Sequence, residues 1–167
     1  HEVMDLMETL IHKGADPRDL RIEHASVLTQ LDVERMADLG ILATVQPAFV
    51  ASEMDWLEKR LGPERIEMTY AIKSLLDAGV RLGGSSDCPV EPPSPLWGMR
   101  WARDRSGLGT AQQVDGATAL GLFTDGAHDA LRLPIPFSEG APASFTILGD
   151  DPVTCGAKSV SDLEVVA

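Results

Sequence analysis

The sequence predicts an α/β fold built on a parallel sheet. Three observations carry this. Amphipathic stretches alternate with short apolar ones in the order helix, strand, helix, strand, helix, strand. The connections between the apolar stretches are long enough to hold a helix, which parallel neighbours require and hairpins do not. Each apolar stretch runs at its C-terminal end into polar residues: His24, Gln46-Pro47, and Ser85-Ser86-Asp87. That edge is where α/β folds build their sites.

The elements follow in order. Val3, Leu6, Met7, Leu10 and Ile11 recur at helical spacing, and Gly14 and Pro17 end that helix. Leu20 to Glu23 is a short strand that stops at His24. Thr29, with Asp32 three residues on, has the pattern of a capping box. Leu31, Met36 and Leu39 give the second helix a buried side, and Gly40 is placed to close it. Ile41 to Gln46 is apolar and β-branched, a buried strand ended by Pro47. Ala48 to Pro63 reads as a long loop with a short helical piece around Trp56. Glu64 to Ala78 reads as one helix closed by Gly79, and Val80 to Leu82 as the third strand.

Beyond Asp87 the texture changes. Glu91-Pro92-Pro93-Ser94-Pro95 is a rigid loop. Thr110, with Gln113 completing a capping box, opens another helix with Leu120, Leu122 and Phe123 on its apolar side. Ser144 to Leu148 and Ser159 to Val166 read as strands that do not alternate with helices. They point to a second, small β-domain over residues 139–167, with residues 1–138 forming the main α/β region.

Composition bounds the function. With 167 residues, 44% apolar and 24% charged, the chain matches a soluble globular domain with a real core. It has no run of about 18 apolar residues, so no membrane partner is expected. No signal peptide is visible, and the helical texture from the first residues suggests a start inside a longer protein. A net charge of -12 repels phosphate backbones, which sets nucleic acid aside. Cys88 and Cys155 form no CxxC, and reduced thiols in a cytoplasmic protein are expected. An acidic surface does not by itself name a substrate.

Two residues stand out chemically. His24, directly after a strand, can serve as a metal ligand or an acid–base group, or can simply hydrogen-bond in the core. Asp87 follows two glycines and two serines, where the backbone turns sharply. It can bind a metal and take a proton from an attacking water, or can make an Asx-turn or helix cap. Glu91 is either a second carboxylate near the mouth or an exposed loop charge. Trp56, Trp97 and Trp101 line a substrate pocket or pack in a core. His1, His12 and His128 read as surface residues.

Taken together, these stretches resemble a known family. They are Arg21-Ile22-Glu23-His24-Ala25, Leu39-Gly40-Ile41 through Val45-Gln46-Pro47, Leu75-Leu76-Asp77-Ala78-Gly79-Val80, and Gly84-Ser85-Ser86-Asp87-Cys88-Pro89-Val90-Glu91-Pro92. Ala143 to Leu148 through Asp151-Pro152 continues the match. In this order, over nearly the whole chain, they resemble the C-terminal half of the amidohydrolase superfamily, in the branch called amidohydrolase family 3 (N-substituted formamide deformylases and relatives). The resemblance implies strands six to eight of a (β/α)8 metal-dependent hydrolase barrel, followed by strands of a small β-domain. It implies one or two divalent metals, with zinc expected. His24 would end strand six and bind metal. Asp87 would end strand eight, bind metal and shuttle a proton. Gln46, Cys88 and Glu91 would lie along the substrate pocket, with Cys88 where the family commonly has Trp. The implied chemistry is hydrolysis of a non-peptide, amide-like C–N bond by metal-activated water.

Part of the family pattern is absent. The chain has no His-x-His pair, so the resemblance implies that strands one to five lie upstream of residue 1. His1 falls where the family has the helix after strand five, which argues against its being the strand-five ligand. The family usually has one more strand after Leu163 to Val166. Two expectations of different classes follow. The chain is part of a metal hydrolase and inactive alone, or it is a non-catalytic module that folds by association with another copy or with the missing half. Either way a homo-oligomer or such an association is expected.

Overall fold

The computed structural model describes residues 2–134 and 139–166. The order of its elements is α1 (Glu2–His12), β1 (Arg21–Ile22), α2 (Gln30–Leu39), β2 (Leu42–Val45), α3 (Phe49–Leu61), α4 (Pro63–Ile66), α5 (Ile72–Asp77), β3 (Arg81–Gly84), α6 (Pro95–Arg103), α7 (Gly116–Phe123) and α8 (Asp125–Ala130). The three strands form one parallel sheet in the order β1-β2-β3. Arg21 faces Leu42, Leu42 faces Arg81, and Val45 faces Gly84.

Strand alternation gives the sheet two different faces. Ile22, Ala43, Val45 and Leu82 share a core with Val33 and Met36 of α2 and with Ile72 and Leu75 of α5. Full burial of side chains such as Met36, Ile72 and Leu75 contributes about 1.5–3 kcal/mol each. The other face carries Arg21, Thr44, Arg81 and Gly83, and α8 lies against it. A β-carbon on Gly83 would come within 2.9 Å of the Gly126 carbonyl oxygen, so only a glycine admits the helix this close. Arg81 then fixes α8 with two bonds to Asp129, at 2.8 and 2.6 Å.

The second helix is as the sequence predicts. The Thr29 hydroxyl accepts from the Asp32 amide at 3.2 Å, and Asp32 Oδ2 accepts from the Thr29 amide at 2.8 Å. Gly40 closes the helix in the left-handed region at φ 65.

Four expectations need correction. The loop expected over Ala48 to Pro63 is the helix α3. Val50, Met54, Leu57 and Leu61 lie at i, i+4, i+7 and i+11 and face a second apolar cluster with Ile66, Tyr70, Trp101 and Leu108. The single helix expected over Glu64 to Ala78 is two, α4 and α5. The break comes where Tyr70 adopts φ 48 and Val27 bridges to Thr69. The helix expected at Thr110 is a 3-10 turn over Thr110–Gln112, and α7 starts later, capped by Asp115, which accepts from the Thr118 amide at 2.7 Å. The two strands expected near the C-terminus reduce to one antiparallel bridge, Leu148 with Val165, and Val160–Asp162 is a 3-10 turn. Phe145, Ile147 and Val166 are exposed there, and two strands without further neighbours make a marginal ribbon. The expected domain boundary, between residues 138 and 139, and His1 fall on or beside residues outside the described ones.

Helix α6 carries no strand or helix expectation from the sequence. Ser94 caps it, accepting from the Trp97 amide at 3.2 Å, and Pro95 sits at its first position. His128, expected on the surface, is half-buried in α8 with its Nδ1 2.9 Å from the Thr124 carbonyl oxygen.

Candidate functional site

All three strands point their C-terminal ends the same way, because they are parallel. The residues that leave those ends therefore meet along one edge. His24 comes from β1, Gln46 from β2, and Ser85 to Asp87 from β3. Backbone bonds extend the pairing just past the strands, with the Ala25 amide donating to Thr44 and the Ser85 amide to Val45 at 3.1 and 2.9 Å.

His24 and Asp87 converge. His24 Nε2 lies 3.6 Å from Asp87 Oδ2, and the two side chains are 47% and 40% exposed. Both residues take left-handed backbone conformations, at φ 55 and φ 53. Such conformations are uncommon for residues with a β-carbon and cluster at functional sites. Both stand where the chain leaves a strand end, and their side chains approach each other there.

The pair fits a divalent metal in donor chemistry. An imidazole nitrogen and a carboxylate oxygen are common zinc donors, and donors about 2.0–2.1 Å from a tetrahedral ion are about 3.3 Å from each other. The 3.6 Å separation is close to that. No group of three or more His, Cys, Asp or Glu side chains able to hold a metal occurs among the described residues. His24 and Asp87 are thus two donors of a set that needs more.

The other expected residues sit around this pair in different ways. Gln46 is 1% exposed, and its Nε2 donates to Ser85 Oγ at 2.7 Å. It braces β2 against β3 beneath the edge. Cys88, beside Asp87, is exposed with a free thiol. Glu91 is buried and accepts from the Trp97 indole at 3.3 Å, so it is not an exposed loop charge. Trp97 stacks edge-on with Trp101, and Arg100 lies over both rings at 5.5 and 5.0 Å. Trp56 is on the surface of α3 with Arg60 over it at 4.7 Å.

The pattern of the strand ends does not by itself reveal the aromatic wall beside His24. Phe49 opens α3 with its ring 6.1 Å from the imidazole, and Tyr70 meets Phe49 edge-on at 6.4 Å. The Tyr70 hydroxyl donates to Glu53 at 2.5 Å. Burial pushes the phenol above its usual range, and the Glu53 bond adds to that. Phe49 follows Gln46-Pro47 closely, and that proximity to a polar strand end was the available signal.

The sequence matches a family model. The model described as the amidohydrolase family matches residues 3–167. The chain belongs to the amidohydrolase family. Family membership agrees with the family-3 resemblance of the sequence. YtcJ of Bacillus subtilis, which is named as an amidohydrolase, is 31% identical over 92% of this chain and 31% of its own length. The N-substituted formamide deformylase of Arthrobacter pascens is 30% identical over 98% of this chain and 32% of its own. The chain thus spans about a third of the length of the curated relatives it matches.

Solved structures agree. An uncharacterized metal-dependent hydrolase of Pyrococcus horikoshii superposes with a TM-score of 0.67 at 31% identity, over 77% of this chain and 26% of that one. Atrazine chlorohydrolase TrzN of Arthrobacter aurescens, complexed with zinc, superposes with a TM-score of 0.56 at 21% identity, over 86% of this chain and 32% of that one. The last likeness is one of fold alone. This amidohydrolase chain is a mixed α/β structure with a small parallel sheet that matches part of such hydrolases.

Proposed function

We propose that this chain forms strands six to eight of a (β/α)8 barrel, within residues 1–138, and that residues 139–167 belong to an accessory β-domain. The proposed activity is hydrolysis of a non-peptide, amide-like C–N bond in a small molecule. The observation that carries it is the convergence of His24 and Asp87 at 3.6 Å on the C-terminal edge of a parallel sheet. Zinc is the proposed metal. A divalent ion, when bound, polarises the carbonyl and makes water acidic enough to attack near neutral pH.

This chain's residues then have separate tasks. The His24 imidazole donates a lone pair to the ion. The Asp87 carboxylate is a second ligand, takes a proton from the attacking water and returns it to the leaving nitrogen. Gln46, Cys88 and Glu91 border the substrate side, and Phe49 shields the imidazole from water on one flank. The remaining ligands come from outside this chain, so the chain alone binds metal weakly and does not turn over. It works by association with the rest of the barrel, in the cytoplasm, where Cys88 and Cys155 stay reduced. The described residues include no helix long and apolar enough to cross a membrane.

The test has two parts. Metal analysis of the purified chain should give well under one zinc per chain. With the rest of the barrel supplied, hydrolysis of N-acyl amines and N-substituted formamides should appear and should fall by about 10² or more on Asp87→Asn. Stoichiometric metal with turnover by the chain alone would show that the site is elsewhere.

A further inference from the structure

Arg105 is the largest fully buried side chain among the described residues, at 0% exposure, and no carboxylate is bonded to it. A buried cation with no carboxylate bonded to it is costly, and Glu67 acts on Arg105 through its charge alone. Burial draws its guanidinium down to about 10. The fold offers this guanidinium three carbonyl oxygens. Nε donates to Leu108 at 2.8 Å, Nη1 to Tyr70 at 2.8 Å and Nη2 to Thr69 at 2.7 Å. Only the planar fork of an arginine reaches three acceptors in this arrangement.

Two of those carbonyls belong to the break between α4 and α5. That segment is bonded in turn to the loop that carries His24. The Tyr70 amide donates to the Ser26 carbonyl at 2.5 Å, the Leu28 amide donates to Met68 at 3.3 Å, and Val27 bridges Thr69. The Tyr70 side chain makes the second connection, through Phe49 to the imidazole. Gly109 closes the arrangement from the other side. A β-carbon there would lie 2.9 Å from the Ile66 carbonyl oxygen and 3.3 Å from Arg105 Nη2.

We infer that Arg105 is a positioning residue for His24: its three-carbonyl clamp holds Tyr70 in its left-handed conformation, and Tyr70 sets the His24 loop through Ser26 and the imidazole through Phe49. The inference rests on the proposed role of His24 in metal binding. It adds a residue about which the spacing of the sequence says nothing, reached through two loops.

The test uses Arg105→Lys in the whole chain, since lysine keeps the charge but not the fork. NMR follows the His24 ring resonances and the contact between the His24 and Phe49 rings. Zinc titration gives the affinity. The expected result is a folded variant with moved His24 resonances, a weakened ring contact, and zinc affinity lower by about tenfold, the lower end for residues that orient metal ligands. If Arg105→Lys does not fold, Gly109→Ala presses on the clamp without removing the charge and should move the same resonances. A folded variant with unmoved His24 resonances and unchanged affinity would overturn the inference and make Arg105 purely structural. Zinc affinity of the parent chain that is indifferent to His24→Gln and Asp87→Asn would sink the metal site instead, while leaving a shift in the His24 ring to report on the clamp.

Discussion

The phenyl ring of Phe123 lies so close to Gly98 that a β-carbon on that glycine would come within 2.2 Å of its Cζ. The same ring meets Gly84, where a β-carbon would lie 2.9 Å away. Phe123 of α7 is thus wedged between α6 and the last residue of β3, three positions before Asp87. The wedge packs the end of β3, from which residues 85–87 lead on.

Gly98→Ala should therefore overpack the wedge and destabilise the chain by about 2 kcal/mol, a fall of several degrees in Tm. Combining it with Phe123→Leu should cost less than the sum of the two, because the smaller side chain gives the methyl room. Thermal unfolding of the two single variants and the double variant checks this. Strict additivity would contradict it.

The capping box of α2 gives a cleaner number. Thr29→Ala removes the hydroxyl that receives the Asp32 amide and should cost about 1 kcal/mol. Thr29→Ser, which keeps the acceptor, should cost much less. Urea denaturation of both variants measures the difference.

The bond between Arg81 and Asp129 should make the seating of α8 sensitive to acid. The Arg81 guanidinium holds the Asp129 carboxyl below its ordinary value of 3.8. A depressed folded value means that the unfolded chain binds the proton more readily, so the contribution is present above the unfolded value and disappears as pH falls through the folded one. The Tm gap between the parent and Asp129→Asn should be full at pH 6 and shrink below about pH 4. Melting curves across that range test it. A gap that does not change with pH would show that the pair is not the source.

Gln46 separates stability from function. Its Oε1 is buried with no hydrogen-bond partner among the described residues, so Gln46→Leu removes an unmatched acceptor along with one bond to Ser85. Stability should change by less than about 1 kcal/mol. If Gln46 borders the substrate, as proposed, turnover in the assembled enzyme should still fall. Equal turnover in parent and variant would take Gln46 out of the pocket.

The parallel sheet was legible from the alternation of apolar strands with helices, and so was the edge bearing His24 and Asp87. Two local patterns also read correctly: the Thr29–Asp32 box and the Gly40 stop are each set within a few residues. A third, the Thr110–Gln113 box, did not, since Thr110–Gln112 is a 3-10 turn without a side-chain cap. The larger errors came where distant groups decide. Helix α3 was hidden because Pro47 and Pro63 frame it like a loop, and its apolar side acquires meaning only when Trp101 and Leu108 pack on it. The α4–α5 break, at Tyr70 with φ 48, is tied to distant groups. Arg105, about 35 residues further on, takes the carbonyls of Thr69 and Tyr70 and holds open what propensity alone would close. The sequence by itself determined the parallel order and, to within about two residues, where the strands end, since short apolar stretches joined by helix-length connections follow from local pattern. Only the tertiary structure decided how His24 and Asp87 face each other, because their left-handed backbones and the aromatic wall are set by contacts between segments far apart in the chain.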